Sequence, residues 1–346
     1  MKNVKECIDS YIANGYVKNI AVRAGIGDEI FCDIYNYDKS PINSKTMFDM
    51  ASVTKIMATT SLALIAMDKN LLSIKDNVSK FFAVPDDKKD LTVYNLLTHT
   101  IGIGHKPLNI NGNNYHNIQD YILSIPLDAK VGSQVLYSCP GFILLGKILE
   151  KVFDSRLDEL FNEYVAKPLK LENTCFLPYK NNNFVNSNLS EEEKGVVNDY
   201  NCRFLGGIAG NAGIFSNVDD ICKYLRMLQN HGEPIICKET FKNAVKNYTP
   251  EMSESRALGF LYVDEKYSQT GCLFPKSSIG HCGHTGQSIF VDTKSGLYAV
   301  ILSDATISTV KKYGYERYDI VQKMREDIHN ALYKDLLENN KCAKHL

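Results

Sequence analysis

The chain reads as an α+β protein. An antiparallel sheet is built from both termini and flanked by helices, and a mainly helical lobe is inserted between the two halves. Two observations predict this. Strand-like runs separated by turn residues occur near the N-terminus and again after about residue 255. From about 75 to 240 the apolar residues recur mainly at helical spacing, broken by polar loops, and no internal repeat of fixed period is apparent. The expected lobes are 1–75 with 240–346 (α/β) and 76–239 (helical), within one domain of 346 residues.

The elements follow in order. Residues 3–14 suit a short amphipathic helix. Ile20 to Ala24 and Ile30 to Tyr35 are strand-like runs around Gly25-Ile26-Gly27-Asp28, a hairpin signal. Ser52 to Met67 reads as a buried helix ended by Asp68-Lys69-Asn70. Leu144, Leu145, Ile148, Leu149 and Val152 share a helix face behind Pro140, which suits a helix start. Ser216-Asn217-Val218-Asp219 looks like a capping box for a helix from Ile221 to Leu228. Asparagine-rich stretches at 109–117 and 181–188 read as exposed loops. Ala257 to Val263 is a strand candidate, and Ser288 to Asp292 with Leu297 to Leu302 forms a second hairpin. An amphipathic helix carrying Ile320, Val321, Met324, Ile328 and Leu332 closes the chain.

Composition excludes some functions. Lys and Arg number 39 against 40 Asp and Glu, so the formal charge is 39 − 40 = −1. No basic excess is present to neutralise nucleic-acid phosphates or to hold a membrane surface. The longest nearly uncharged apolar run, Ile56 to Met67, has 12 residues, short of the ~18 needed for a span. With no apolar signal core after Met1, a cytoplasmic location is expected. The ten irregularly spaced cysteines then read as reduced, buried thiols.

One residue breaks the pattern. From Ala51 through Met67 the only basic residue is Lys55. Burying an ammonium without a partner is costly, and such a group usually sheds its proton and becomes a base. Ser52 lies three residues earlier, on the same helix face, where the helix N-terminus favours developing negative charge. That combination activates a hydroxyl as a nucleophile. A lysine snorkelling from a core helix gives the same pattern. A second copy, Ser308-Thr309-Val310-Lys311, runs into a polar and apparently exposed stretch, where its lysine would be solvated.

At Phe48-Asp49-Met50-Ala51-Ser52-Val53-Thr54-Lys55 the sequence resembles the first motif of the serine β-lactamase and penicillin-binding protein superfamily, in its class C-like branch of esterases and D-amino-acid peptidases. Leu72 to Phe81, Leu91 to Thr100 and Gly206 to Ser216 resemble further segments in the same order, over roughly residues 30 to 305. The resemblance implies a β-lactamase-like fold, a small-molecule substrate and no cofactor. It makes Tyr137-Ser138-Cys139 the second motif, with Tyr137 in proton transfer, its phenol pKa lowered by the lysine, and Cys139 in place of a substrate-binding asparagine. Gly280-His281-Cys282-Gly283 becomes the third motif, with His284-Thr285-Gly286 a competing frame. His281 would then be a pH-dependent cation, Cys282 and Gly283 would border the substrate, and the amides of Ser52 and His284 would hold the oxyanion.

Rival readings remain at this level. His281, Cys282 and His284 might suggest zinc, but alternate strand side chains diverge and no fourth ligand is apparent, so no metal is expected. Cys139 or Cys282 with a histidine might make a thiol nucleophile. His99 and His105 read as structural or rim residues. The glycines of 206–213 lack the Gly-Lys-Ser/Thr that a phosphate loop requires. The leading expectation is a hydrolase with an acyl-Ser52 intermediate, acting on short-chain esters, D-amino-acid peptides or amides, and β-lactams, in falling order given Cys139. A penicillin-binding-type protein that is acylated slowly or only binds is second. An interaction protein with a fossil site is third.

Overall fold

The computed structural model describes residues 1–108, 117–179 and 183–339. Cys342 and nearly all of the first asparagine-rich stretch lie outside them. Helix α1 (Lys2–Ala13) leads to β1 (Ile20–Ile26) and β2 (Glu29–Asn36). β3 (Phe48–Asp49) precedes a buried helical segment that ends in α2 (Ser61–Asp68). Then come α3 (Cys139–Phe153), β4 (Cys175–Phe176), β5 (Ile214–Ser216) and α4 (Val218–Gln229). The chain returns through β6 (Leu261–Tyr262), β7 (Ile279–Cys282), β8 (Ser288–Val291) and β9 (Leu297–Ser303), and continues with α5 (Ala305–Tyr313) and α6 (Tyr318–Glu338).

The main sheet has the order β2-β1-β9-β8-β7-β6. Every neighbouring pair in it is antiparallel. β1 pairs with β9 from Ile20↔Ser303 to Ile26↔Leu297, joining the two ends of the chain as the hairpin signals predict. Strand alternation then sorts the core into two layers. Ile20, Val22, Ala299 and Ile301 face α1 and α6, packing with Val4, Ile8, Met324 and Ile328. Ala21, Val300, Leu302 and Ile289 face the other way, onto the buried helical segment, α3 and α4. Each fully buried aliphatic side chain contributes ~1.5–3 kcal/mol.

The structure departs from the sequence reading in several places. The segment after Ser52 is not one regular helix. A 3-10 turn (Ala51–Val53) and a π turn (Lys55–Thr60) precede α2. The Ser61 N–H reaches back to Ile56 O, and the same carbonyl accepts the hydroxyls of Ser61 at 3.0 Å and Tyr224 at 2.8 Å. The cap of α4 is Asn217, whose side chain accepts the Asp220 N–H at 2.9 Å. Ser216 cannot serve, because it ends β5 and its hydroxyl is bound to Thr174 at 2.7 Å.

Only Leu261–Tyr262 of the 257–263 candidate is strand. Gly259 turns the chain at φ 79°, where a Cβ would lie 1.9 Å from Thr60 Oγ1. The second asparagine-rich stretch is not wholly exposed. Phe184 and Val185 are buried, because the Met47 N–H donates to Asn183 O, the Val185 N–H donates to Met47 O, and Phe184 packs edge-on to Phe215. Small β3-β5-β4 pairing there also went unread in the sequence.

Candidate active site

Ser52 sits where β3 gives way to the helical segment, and Asp49 shapes that turn. Asp49 Oδ1 accepts the Ala51 N–H at 2.8 Å and Oδ2 accepts the Asn198 N–H at 2.7 Å. Its carbonyl oxygen accepts the Thr285 hydroxyl at 2.9 Å and the Gln287 amide at 2.6 Å. Ala51 is thereby held at φ 45°, a left-handed conformation that costs on the order of 1–3 kcal/mol for a residue with a Cβ. Burial pushes the Asp49 carboxyl up to about 6, against the pull of those two N–H bonds.

Lys55 is fully buried, but it is not unpartnered as expected. Its Nζ donates to Ser52 Oγ at 3.0 Å, to Asn211 O at 3.0 Å and to Cys139 Sγ at 3.5 Å. The three N–H groups of an ammonium thus each have an acceptor, which is why the interior tolerates it. Nζ also lies 4.9 Å from the Tyr137 ring centre.

Tyr137 Oη donates to Ser52 Oγ at 2.6 Å, so lysine and phenol converge on one hydroxyl. The phenol is held by His99, whose Nδ1 accepts the Ser138 N–H at 3.0 Å and whose ring centre lies 4.7 Å from that of Tyr137. The expected fall in the Tyr137 pKa is reversed. Burial, then the charge of Cys139, pushes it well above its ordinary value, against Ser52 and Arg256. Tyr137 is therefore a persistent donor.

Cys139 opens α3, and Ser138 caps that helix by accepting the Gly141 N–H at 3.1 Å. Burial acts to raise the Cys139 thiol, but Lys55 and a hydrogen bond from His105 outweigh it, so its pKa lies below the ordinary value.

The third motif is placed on β7 in the first of the two frames. His281 Nδ1 lies 2.7 Å from Cys282 O. A carbonyl only accepts, so Nδ1 carries the proton and Nε2 is left as an acceptor, with no hydrogen-bond partner among the described residues. His281 is not the expected cation: burial, then Lys55 and Arg256, hold its pKa well below the usual imidazole range. Cys282 borders the cavity, but its thiol points to Ser288 Oγ at 3.7 Å within the layer under α6. Gly283 packs closely on backbone, since a Cβ there would lie 2.6 Å from Met50 O. That contact sets the end of β7 against the Ser52 turn. The His284 ring turns outward to Glu316 at 3.0 Å. His281, Cys282 and His284 thus diverge, and no metal-holding group of three or more His, Cys, Asp or Glu occurs among the described residues.

A cavity of about 890 Å³ joins these groups, lined by Ser52, Tyr137, Cys139 and His281. Arg256 on its lining, and Asn211 and Arg325 against the site's own residues, are three that the sequence reading missed. Arg256 is 3 % exposed and binds Glu254 through Nε at 3.1 Å and through Nη2, while Nη1 has no hydrogen-bond partner among the described residues. Asn211 carries the carbonyl on Lys55 and donates to Asp199 at 3.0 Å. Arg325, fully buried on α6, donates through Nη2 to Gly283 O. No local pattern marks any of the three. Each meets the site through a contact distant in sequence: Arg256 lies over the Tyr137 ring at 5.7 Å, Asn211 O holds Lys55, and Arg325 holds Gly283 O. His105, read as a rim residue, does line the cavity.

An antiparallel sheet built from both chain ends, packed on a buried serine–lysine turn, defines the β-lactamase-like fold. The family model "Beta-lactamase" matches residues 11–321, and the chain belongs to that family of serine hydrolases. "N-acetylmuramyl-L-alanine amidase" of Bacillus subtilis (strain 168) is 26 % identical over 356 residues, spanning 88 % of this chain and 80 % of that protein. "Putative D-alanyl-D-alanine carboxypeptidase" of Escherichia coli (strain K12) is 28 % identical over 305 residues, spanning 77 % and 70 %. Among solved structures, "EstCE1, a hydrolase with promiscuous acyltransferase activity" superposes with TM-score 0.75 at 19 % identity, covering 96 % of this chain and 98 % of that one. Among the described residues no helix is long and apolar enough to cross a membrane.

Proposed function

We propose that this hydrolase acts through an acyl-Ser52 intermediate on a small carbonyl substrate, with the carboxylate-bearing D-amino-acid peptides and β-lactams ahead of neutral esters and amides. The observation that carries the reading is the double hold on Ser52 Oγ by Lys55 Nζ at 3.0 Å and Tyr137 Oη at 2.6 Å, on the wall of one cavity.

Ser52 attacks the carbonyl as Lys55 takes its proton. Tyr137, kept protonated by burial, steadies the departing oxygen charge and relays the proton to the leaving group. The Ser52 and His284 amides receive the oxyanion, and the close approach of Gly283 to Met50 supports that pairing. Water then attacks the acyl group with the same residues reversing their roles. His281 Nε2 offers an acceptor for a substrate N–H.

The preference among substrates rests on Arg256. Its free Nη1 suits a carboxylate at the cavity wall, which a D-amino-acid leaving group carries and a simple ester lacks. The name borne by the Escherichia coli relative agrees with that choice. Incubation with a fluorophosphonate, p-nitrophenyl acetate, a D-alanyl-D-alanine peptide and a fluorescent penicillin, beside Ser52→Ala, tests it. Turnover and a Ser52 adduct that vanish in the variant support the hydrolase. Arg256→Gln is expected to raise KM about tenfold for the peptide and to leave the acetate unchanged.

Cys139 in place of asparagine favours one second reading, a penicillin-binding-type protein that is acylated but releases slowly. A stable penicillin adduct without turnover of any substrate would select it.

A further inference from the structure

The residue that departs from the family motif sits against the catalytic lysine. Cys139 Sγ is 3.5 Å from Lys55 Nζ and occupies the first turn of a 15-residue helix. Both side chains are at least 98 % buried. An asparagine there accepts a hydrogen bond but takes up no proton at accessible pH. A thiol does take up and release one, and a helix N-terminus beside a lysine is the setting that stabilises its thiolate.

We propose that Cys139 and Lys55 share one proton as a net-neutral pair, and that Cys139 is the internal store from which Lys55 reaches the amine form that deprotonates Ser52. The catalytic meaning of the pair rests on the acyl-Ser52 reading above. Its two forms are ammonium with thiolate and amine with thiol. Both sum to zero charge, so the exchange moves no net charge into or out of a dry site. With an asparagine at 139, the lysine proton would have to leave the interior altogether.

The protons balance through a cycle. Nζ passes one proton to Sγ, leaving amine and thiol. As the Ser52 O–C bond to the substrate carbonyl forms, the amine takes the hydroxyl proton. The resulting ammonium returns that proton through Tyr137 to the leaving group when the scissile bond breaks. Deacylation repeats the exchange with a proton from water, which ends on Ser52 Oγ. The thiol then gives its proton back to Nζ. Cys139 touches no reacting atom here and is a positioning residue for the proton of Lys55.

The groups that face the sulfur fit this role. Lys55 comes from the helical segment, His105 from the loop across the cavity, Tyr137 from two residues earlier and Asp199 from the opposite wall. Lys55 and the His105 hydrogen bond favour the thiolate, whereas burial and Asp199 oppose it, and the balance falls below the ordinary thiol value. His105 is pushed upward by its bond to the same sulfur, against burial.

The pair is tested without relying on turnover. In Ser52→Ala protein, conversion of Cys139 to its methyl disulfide by methyl methanethiosulfonate, with methanesulfinate as the leaving group, is followed by peptide mapping from pH 8 to pH 6, with exposed Cys272 as the internal reference. An ordinary thiol slows about tenfold per pH unit below its pKa. Cys139 is expected to slow less than about threefold over the whole range, and to regain the ordinary slope when Lys55→Met is added. An ordinary slope in both proteins, or no labelling of Cys139 in the folded chain, overturns the proposal.

Cys139→Ser supplies a second readout that does not depend on the lysine variant folding. It is expected to move the acid limb of kcat/KM up by about one pH unit or more, whereas a thiol that only fills space would leave the limb in place. If Ser52 fails to acylate while the labelling depends on Lys55, the hydrolase reading falls and the pair stands. If acylation is normal and the labelling is ordinary, the pair falls and the hydrolase stands.

Discussion

The chain carries the spacing Ser-x-x-Lys twice, and the two copies end in opposite surroundings. Ser52 and Lys55 lie in a segment packed on all sides, with Lys55 at 0 % exposure and 3.0 Å from the serine oxygen. Ser308 and Lys311 lie on α5. Ser308 is buried and bonds to Asp304 Oδ1 at 3.0 Å, and the stretch it runs into is exposed at Lys311 and Lys312 as expected. Lys311 is exposed in the last turn, where the helix C-terminus accommodates its charge. Ser308 therefore faces a carboxylate of the core, whereas Ser52 faces an amine. Identical spacing on a helix face supplies only proximity. The chemistry comes from a low-polarity enclosure that leaves the amine no partner except the groups of the site.

The contrast is broken most directly at the serines. Ser52→Ala is expected to lower kcat by about 10,000-fold or more, and Ser308→Ala to leave it within about twofold, as read by p-nitrophenyl acetate turnover. Equal losses in the two variants would erase the distinction. At the lysines, Lys55→Met is expected to cost about 1,000-fold in kcat and Lys311→Met nothing measurable, since an exposed lysine at a helix end contributes only ~0.3–1 kcal/mol to stability.

The enclosure is sharpened by Arg325, which is buried under β7 and holds Gly283 O, the carbonyl of the peptide whose N–H belongs to His284. Arg325→Met is expected to lower kcat about tenfold with little change in KM, because it loosens one oxyanion donor without touching substrate. A change confined to KM would assign Arg325 to binding instead.

A separate effect concerns stability rather than turnover. The Asp49 carboxyl, raised by burial to about 6 from an unfolded value of 3.8, binds its proton more tightly in the folded protein. Its contribution is fully present below about pH 4 and is lost as pH rises through about 6, amounting to roughly 2–3 kcal/mol. Denaturant midpoints measured from pH 4 to 7 are expected to fall less steeply for Asp49→Asn than for the parent. Parallel curves would mean that Asp49 is no more enclosed than a surface carboxylate.

Much of this was legible in the chain. The hairpins at 20–36 and 288–303 follow from alternation and turn residues, which are local, and their pairing through β1 and β9 follows from strands at both ends. Ser52, Lys55 and Tyr137 were legible because a lone charge in an apolar run and an ordered set of motifs leave a trace in one dimension. The π turn was not, since it depends on Tyr224 reaching Ile56 O from 168 residues away. Nor was the state of His281, where residue type indicates a titratable ring but enclosure beside Lys55 and Arg256 decides that it stays neutral.

The sequence by itself determined the strand and helix grammar, the membership of both chain ends in one sheet, and the identity of the serine, lysine and phenol that meet. Only the tertiary structure decided the charge and direction of those groups. It gave Lys55 three acceptors, kept Tyr137 a donor, turned the Cys282 thiol away and brought Arg256, Asn211 and Arg325 to the site. The reason is physical. Backbone periodicity is written in neighbours a few residues apart, whereas solvation and electrostatic potential at an atom are sums over everything packed around it, whatever its distance along the chain.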